Sequence, residues 1–394
     1  MRLYDTAQRE VTEFTPRNDE VNLYVCGITP YDSAHLGHAF TYHVFDVLTR
    51  RLRSLGTSVR SVRNVTDVDD DILRTARLRN VDATALSTAQ VAMFERDMRD
   101  IGLLPVDASP LASQHVPEMV EWVRRLEHGG YAYANAGWVY FDTTRFPAYG
   151  SLSRLDRDDM IALSRERGAD PDDPRKRDPL DFVLWQPSAE GEPRWNSPWS
   201  DGRPGWHIEC TVLAASTLGL PVDIHGGGDD LIYPHHESEI AQAVGTGATP
   251  YARRWMHVAM VQLDGVKMSK SLGNLVFVSD LLQEVQPATV RLLLAAHHYR
   301  SSWSYEPAEL QQAEQRRMRY IDAAAAVARI DAATAADLEH RYWERIDDDL
   351  DTPGALTVLD ELATLLLTAR ATDAQSGVDG GPLLDRLLDV LGSR

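Results

Sequence analysis

The chain has 394 residues, a formal net charge of −19, and a composition that is 43% hydrophobic and 25% charged. That length is too great for one core and calls for two or three domains, while the acidic balance argues against a broad nucleic-acid surface. Two cysteines, Cys26 and Cys210, exclude a disulfide scaffold; no apolar run approaches the roughly 18 residues of a membrane span, and the polar start MRLYDTAQREV lacks a signal-peptide core, so a cytoplasmic location is expected.

Residues 21–26, VNLYVC, read as a buried strand ending at Gly27. After GITPYDSAHLGH, the apolar residues Val44, Phe45, Leu48, Leu52 and Leu55 recur near 3.6 spacing, which predicts a helix stopped at Gly56. SVRSVRNV, residues 58–65, predicts a second strand. Strand, glycine-bearing turn, helix and strand form a βαβ unit. A parallel sheet is therefore expected, with ligands at the carboxyl ends of its strands. Helices are predicted over 70–105 and 116–128, the second ended by Gly129 and Gly130. YAYANAGWVYFD predicts a hairpin, and Pro-, Gly- and charge-rich connections follow it. The stretch 86–200 thus reads as a helical extension and connective insertion. It separates the first half of a nucleotide-binding domain, 1–85, from the second half, 201–280. Residues 281–394 turn alanine- and leucine-rich and predict a helical bundle, with ATDAQSGVDGG as a link before one short last helix.

Two groups of residues carry chemistry. Pro234 fits the first turn of a helix, which would set His235 and Glu239 four apart on one face. With Cys26 and Cys210 they make a Cys2HisGlu set that suits zinc. Taken alone, a free cysteine is more often a small buried hydrophobe than a ligand and a histidine near a helix start is usually structural, and without a CxxC signature the spacing leaves both readings open.

The second group is HLGH (35–38) and KMSKS (267–271). A glycine at a helix N-terminus lets a phosphate approach backbone N–H groups and the helix dipole. Histidines there, and lysines on a loop from the other side, can stabilise the charge of a leaving pyrophosphate. Only three of the 40 basic residues are lysine, namely Lys176, Lys267 and Lys270, and two of them fall in KMSKS.

Both motifs, in this order, resemble the class I aminoacyl-tRNA synthetases with their HIGH/KMSKS Rossmann nucleotide-binding domain. The resemblance is to the cysteinyl enzymes and to their relatives, the mycothiol-pathway ligases that join cysteine to a glucosaminyl-inositol. It runs from about residue 2 to residue 370 through YVCG, NVTDVDD, GRPGWHIEC, HGGG, PHHE and KMSKSLGN. It implies an α/β fold and one zinc ion per chain on Cys26, Cys210, His235 and Glu239. It also implies a cysteine pocket at Thr29, Thr66 and Trp206. Catalysis would fall to His35, His38, Lys267 and Lys270, and ATP binding, with Mg2+, to Gly37, Asp230 and Met268.

The acceptor divides the two branches. GITPYD, HLGHA and NLVFVS resemble the small-amine ligases; VYFDTTRFPAYGSLS, PLDFVLW, DIHGGG, HHESEIAQ and the Glu239 position resemble the synthetases. Little chain follows the bundle where cysteinyl-tRNA synthetases continue into an anticodon-binding domain. Residues 306–394 hold eighteen Asp or Glu against nine Arg and no Lys, a poor composition for gripping tRNA. The expectation is a monomeric, ATP-dependent, tRNA-independent ligase that activates L-cysteine as its adenylate and passes it to a small amine. A compact cysteinyl-tRNA synthetase and an inactive synthetase-like binding protein are the alternatives.

Overall fold

A computed structural model describes residues 1–30, 34–268, 273–369 and 377–394. At its centre is a four-stranded sheet in the order Trp255–Val258, Ile224–Gly228, Glu20–Ile28, Ser58–Val65, and every pairing is parallel. The chain leaves strand Glu20–Ile28 through helix Leu36–Ser54 and re-enters beside it at Ser58. The strand on its other side arrives only at Ile224. The strand order therefore reverses next to Glu20–Ile28, and the crevice beyond the carboxyl ends at such a point is where α/β sheets bind ligands.

Alternation along this strand sorts its residues between two cores. Leu23 and Val25 pack with Phe40, Val44, Leu48 and the C-terminal helices, whereas Tyr24 and Cys26 face helix Trp206–Leu218. Cys26 and HLGH thus occupy opposite faces of the sheet at the same end. Gly27, between them, is required sterically, because a Cβ there would lie 1.6 Å from the carbonyl oxygen of Asn64. The strand register shifts at this point, between Val25 and Ile28.

The expected run 70–105 is two helices, Asp70–Arg79 and Ala83–Asp100. Asn80 takes a left-handed conformation (φ 51°), and the Asp82 side chain accepts from Ala85 N to start the second. Residues 105–111 return along the outer sheet edge, where Arg63 N donates to Ala108 O and Val65 N to Pro110 O. The hairpin Ala132–Asn135/Trp138–Phe141 extends through Phe182–Pro187 and Gly202–Pro204 into a four-stranded antiparallel sheet.

Helices Pro307–Ala325, Ala332–Asp347, Thr352–Thr368 and Gly380–Leu391 form the C-terminal bundle. Leu383, Leu384, Leu387 and Leu391 are buried in the same core as helix Leu36–Ser54. Buried Arg291 joins the two parts: its Nε donates to Leu391 O at 2.9 Å and its guanidinium pairs with buried Asp46. Among the described residues, no helix is long and apolar enough to cross a membrane.

Candidate active site

Cys26 ends its run of the central strand pointing at helix Trp206–Leu218, which carries Cys210 one turn beyond Trp206. His235 and Glu239 come from the segment after the neighbouring strand. Here the structure differs from expectation: the α-helix begins at Glu237, and residues Ile232–His236 form a wider turn, so Pro234 does not open the helix. A residue before proline is forced from the helical region, and Tyr233 is extended (φ −132°, ψ 135°). The wider turn still leaves His235 Nε2 3.6 Å from Glu239 Oε1.

The ligand atoms of Cys26, Cys210, His235 and Glu239 lie within 4.8 Å of one another, all buried. A second set, Cys26, His225, His236 and Glu239, meets the same limit and shares two members with the first. His225 Nε2 stands 3.0 Å from Glu239 Oε2, and His236 Nε2 3.3 Å from Cys26 Sγ. Behind them, His236 Nδ1 is 2.7 Å from His257 Nε2, and His257 Nδ1 is 2.7 Å from Thr6 Oγ1. His207 Nδ1 lies 3.0 Å from His235 Nδ1, and the Trp206 ring stacks on His235 at 4.3 Å.

Burial pushes the Cys26 thiol well up, with Cys210 adding to the shift, and it pushes the Glu239 carboxyl well up too. Burial also holds His235 and His236 far below the usual imidazole range, and His207, His225 and His257 at about 3. Cys26, Glu239 and these histidines are thus driven to their neutral forms, the state a bound cation reverses in thiols and carboxyls and accepts in imidazoles. The 3.0 Å approach of His225 Nε2 gives the Glu239 carboxylate no well-formed hydrogen bond, and the buried Tyr24 hydroxyl has no hydrogen-bond partner among the described residues. Two thiols, an imidazole and a carboxylate in this state fit zinc.

Sequence reasoning singled out one histidine of this cluster and missed His207, His225, His236 and His257. The only signal for them was their place inside the quoted strings GWHIEC, HGGG and PHHE and the neighbouring WMHV.

Around the residues expected to form a cysteine pocket, Asn64 Oδ1 accepts from Gly27 N at 2.7 Å and its Nδ2 donates to Thr66 Oγ1 at 3.1 Å, while Thr66 N donates to Ile28 O. One amide thereby ties the start of CGIT to NVT. Thr29 follows directly on the strand and is half-buried. Glu209 is buried beside Thr66, and burial, then Asp69, pushes its carboxyl well up.

Across the sheet, His35 caps its helix: Nδ1 accepts from Gly37 N at 3.1 Å, so the ring carries its proton on Nε2. The His35 and His38 rings stack at 3.8 Å. A Cβ on Gly37 would meet His35 Cε1 at 2.9 Å, so the glycine keeps the imidazole in place. The helix starts at Leu36, earlier than apolar spacing predicted, because this cap lies outside the hydrophobic pattern.

The chain after KMSKS comes back to this cap. Leu36 N donates to Val276 O at 2.8 Å, Val278 N to Ala34 O at 3.0 Å, and His35 bridges Phe277. Lys267 closes a short hairpin by pairing its backbone with Gln262. Its side chain, and Lys270 altogether, lie outside the described residues. Met268 is buried in the core that holds the HLGH helix. Asp230 sits in the turn Asp229–Leu231 just past strand Ile224–Gly228.

A parallel sheet with this reversal, a capped HLGH helix and the return of the KMSKS segment to it define a class I synthetase-type nucleotide fold. The chain belongs to the family whose model is described as tRNA synthetases class I (C) catalytic domain, which matches residues 13–315. It is 44% identical over 391 residues to the L-cysteine:1D-myo-inositol 2-amino-2-deoxy-alpha-D-glucopyranoside ligase of Thermobispora bispora, covering 99% of this chain and 95% of that one. It is 45% identical over 372 residues to the cysteine–tRNA ligase of Chromohalobacter salexigens, covering 94% of this chain and 80% of that one. Among solved structures, a Mycobacterium tuberculosis methionyl-tRNA synthetase bound to methionyl-adenylate is similar at TM-score 0.68 and 16% identity, covering 94% of this chain and 88% of that one. The LeuRS of Agrobacterium radiobacter K84 in a complex with tRNA is similar at TM-score 0.71 and 12% identity, covering 96% and 85%. These two share the fold.

Proposed function

We propose that the protein activates L-cysteine with ATP and transfers it to a small amine, 1D-myo-inositol 2-amino-2-deoxy-alpha-D-glucopyranoside, in mycothiol biosynthesis. The observation that carries the cysteine half is the buried Cys26, Cys210, His235 and Glu239 cluster, at the strand ends where HLGH also stands. The acceptor half rests on the near-full-length relatives that bear the ligase name.

The residues divide the work. Thr29, Thr66 and Trp206 hold the amino acid beside the cluster. A zinc ion on the four ligands would supply a soft Lewis acid for the substrate sulfur, which favours cysteine over serine. The cysteine carboxylate attacks the α-phosphorus of Mg2+-bound ATP, and diphosphate leaves with the bridging-oxygen electrons. His35, through its Nε2 proton, His38, Lys267 and Lys270 meet that charge, while Gly37, Asp230 and Met268 seat the nucleotide. The free amine then attacks the adenylate carbonyl, loses a proton, and expels AMP. Two thiols kept reduced suit the cytoplasm, where the reading places a monomer.

Purified protein with ATP, cysteine and the glucosaminyl-inositol should release AMP and form the amide, while leaving tRNA uncharged. The second reading, a cysteine–tRNA ligase, is favoured by the 45% identical relative of that name. Cysteinylated tRNA with no amide would establish it instead.

A further inference from the structure

The insertion is fastened along one continuous stretch of the second half. Ser164 Oγ and Tyr233 OH are 2.8 Å apart and buried. The Glu237 carboxylate accepts from Leu152 N at 3.1 Å and Ser153 N at 3.0 Å. At the end of the series stands Arg167, the C-cap of helix Arg157–Glu166. Its Nη1 donates to the Asp230 carbonyl at 3.0 Å and lies 3.5 Å from the Asp230 carboxylate, with both side chains about three-quarters shielded (23% and 28% exposed).

Asp230 is held where a nucleotide would meet it. A Cβ on Gly228 would lie 2.6 Å from Asp230 Oδ1, so the carboxylate folds across the carboxyl end of the strand. That end borders the strand-order reversal. A short acidic side chain after a glycine-rich strand can turn toward several neighbours. A guanidinium bonding its carbonyl and facing its carboxylate favours the orientation that keeps this pair.

We propose that Arg167 is a positioning residue for the nucleotide: reaching from the insertion, it fixes Asp230 in the orientation that accepts a hydrogen bond from bound ATP. This rests on reading Asp230 as part of the ATP site. Arg167 touches no reacting atom, and its effect passes through Asp230.

Cysteine-dependent ATP–diphosphate exchange by the zinc-loaded enzyme tests it, with KM measured for ATP and for cysteine. Arg167→Ala and Arg167→Gln should each raise the ATP KM about tenfold, leaving the cysteine KM, zinc content and melting temperature as in the parent. Arg167→Lys should recover part of the loss. Asp230→Asn should raise the ATP KM as well, and adding Arg167→Ala to it should cost nothing further. Arg165→Ala, on an exposed pair with Asp172 in the same helix, should change neither KM. A raised ATP KM in Asp230→Asn with an ordinary one in all three Arg167 variants overturns the inference alone. An ordinary ATP KM in Asp230→Asn overturns the Asp230 reading and the inference with it. Equal increases in both KM values, or lost zinc, would make Arg167 a general brace and also overturn it.

Discussion

At the residue scale, the site depends on side chains driven to neutral forms by burial and on backbone too tight for a Cβ. Cys210 offers the sharpest test. Serine at 210 keeps the volume and replaces a soft ligand by a hard, weakly acidic one. Cys210→Ser should fall below about a tenth of an equivalent of zinc and lose exchange activity by about 100-fold or more, checked by elemental analysis beside the kinetic assay. Zinc retained with activity lost would place the ion on Cys26, His225, His236 and Glu239, the overlapping set. The rarity of cysteine made Cys26 and Cys210 visible in the sequence. The surrounding histidines were not visible, because His207, His225, His236 and His257 converge only when a helix start, two strand ends and a turn meet. No linear spacing encodes that meeting.

At the scale of elements, the capped helix and the KMSKS segment act as a pair. The chain is pinned at the start of the motif, where Lys267 pairs with Gln262, and after it, where Leu36, Ala34 and His35 bond Val276, Val278 and Phe277. Under the proposed function, a segment anchored at both ends beside the HLGH cap would bring its lysines to the phosphates. Lys267→Ala and Lys270→Ala should each lower exchange turnover with little change in the cysteine KM, a loss of transition-state stabilisation of about 2–4 kcal/mol. Unchanged turnover with a raised cysteine KM would assign the lysines to the wrong substrate. Two strands of the central sheet, Glu20–Ile28 and Ser58–Val65, were legible from apolar runs and the first helix from its 3.6 period, whereas Ile224–Gly228 and Trp255–Val258 were not. Local chemistry decided the rest: Asn80 interrupts an expected continuous helix, and Pro234 displaces a helix start to Glu237.

At the scale of the whole molecule, one apolar core runs from the sheet face under HLGH into the C-terminal bundle, and Arg291 is the polar tie within it. Asp46→Ala strands a buried guanidinium that, among the described residues, only Leu391 O still receives, a change expected to cost about 3–5 kcal/mol. Because the core is shared, sheet and bundle should still melt together; denaturation followed by tryptophan fluorescence and by helical circular dichroism should move as one transition. Separate transitions would show that the bundle folds on its own. The long crossover between strands Glu20–Ile28 and Ile224–Gly228 also sets a timetable. The ribosome makes Cys26 about 180 residues before Cys210, roughly 10–40 s at ordinary rates of synthesis. Through that interval the nascent chain carries one thiol and none of its partners. Assembly of the Cys26, Cys210, His235 and Glu239 cluster therefore waits until residue 239 has left the exit tunnel, and a chain released before then lacks the complete cluster that the proposed zinc would need.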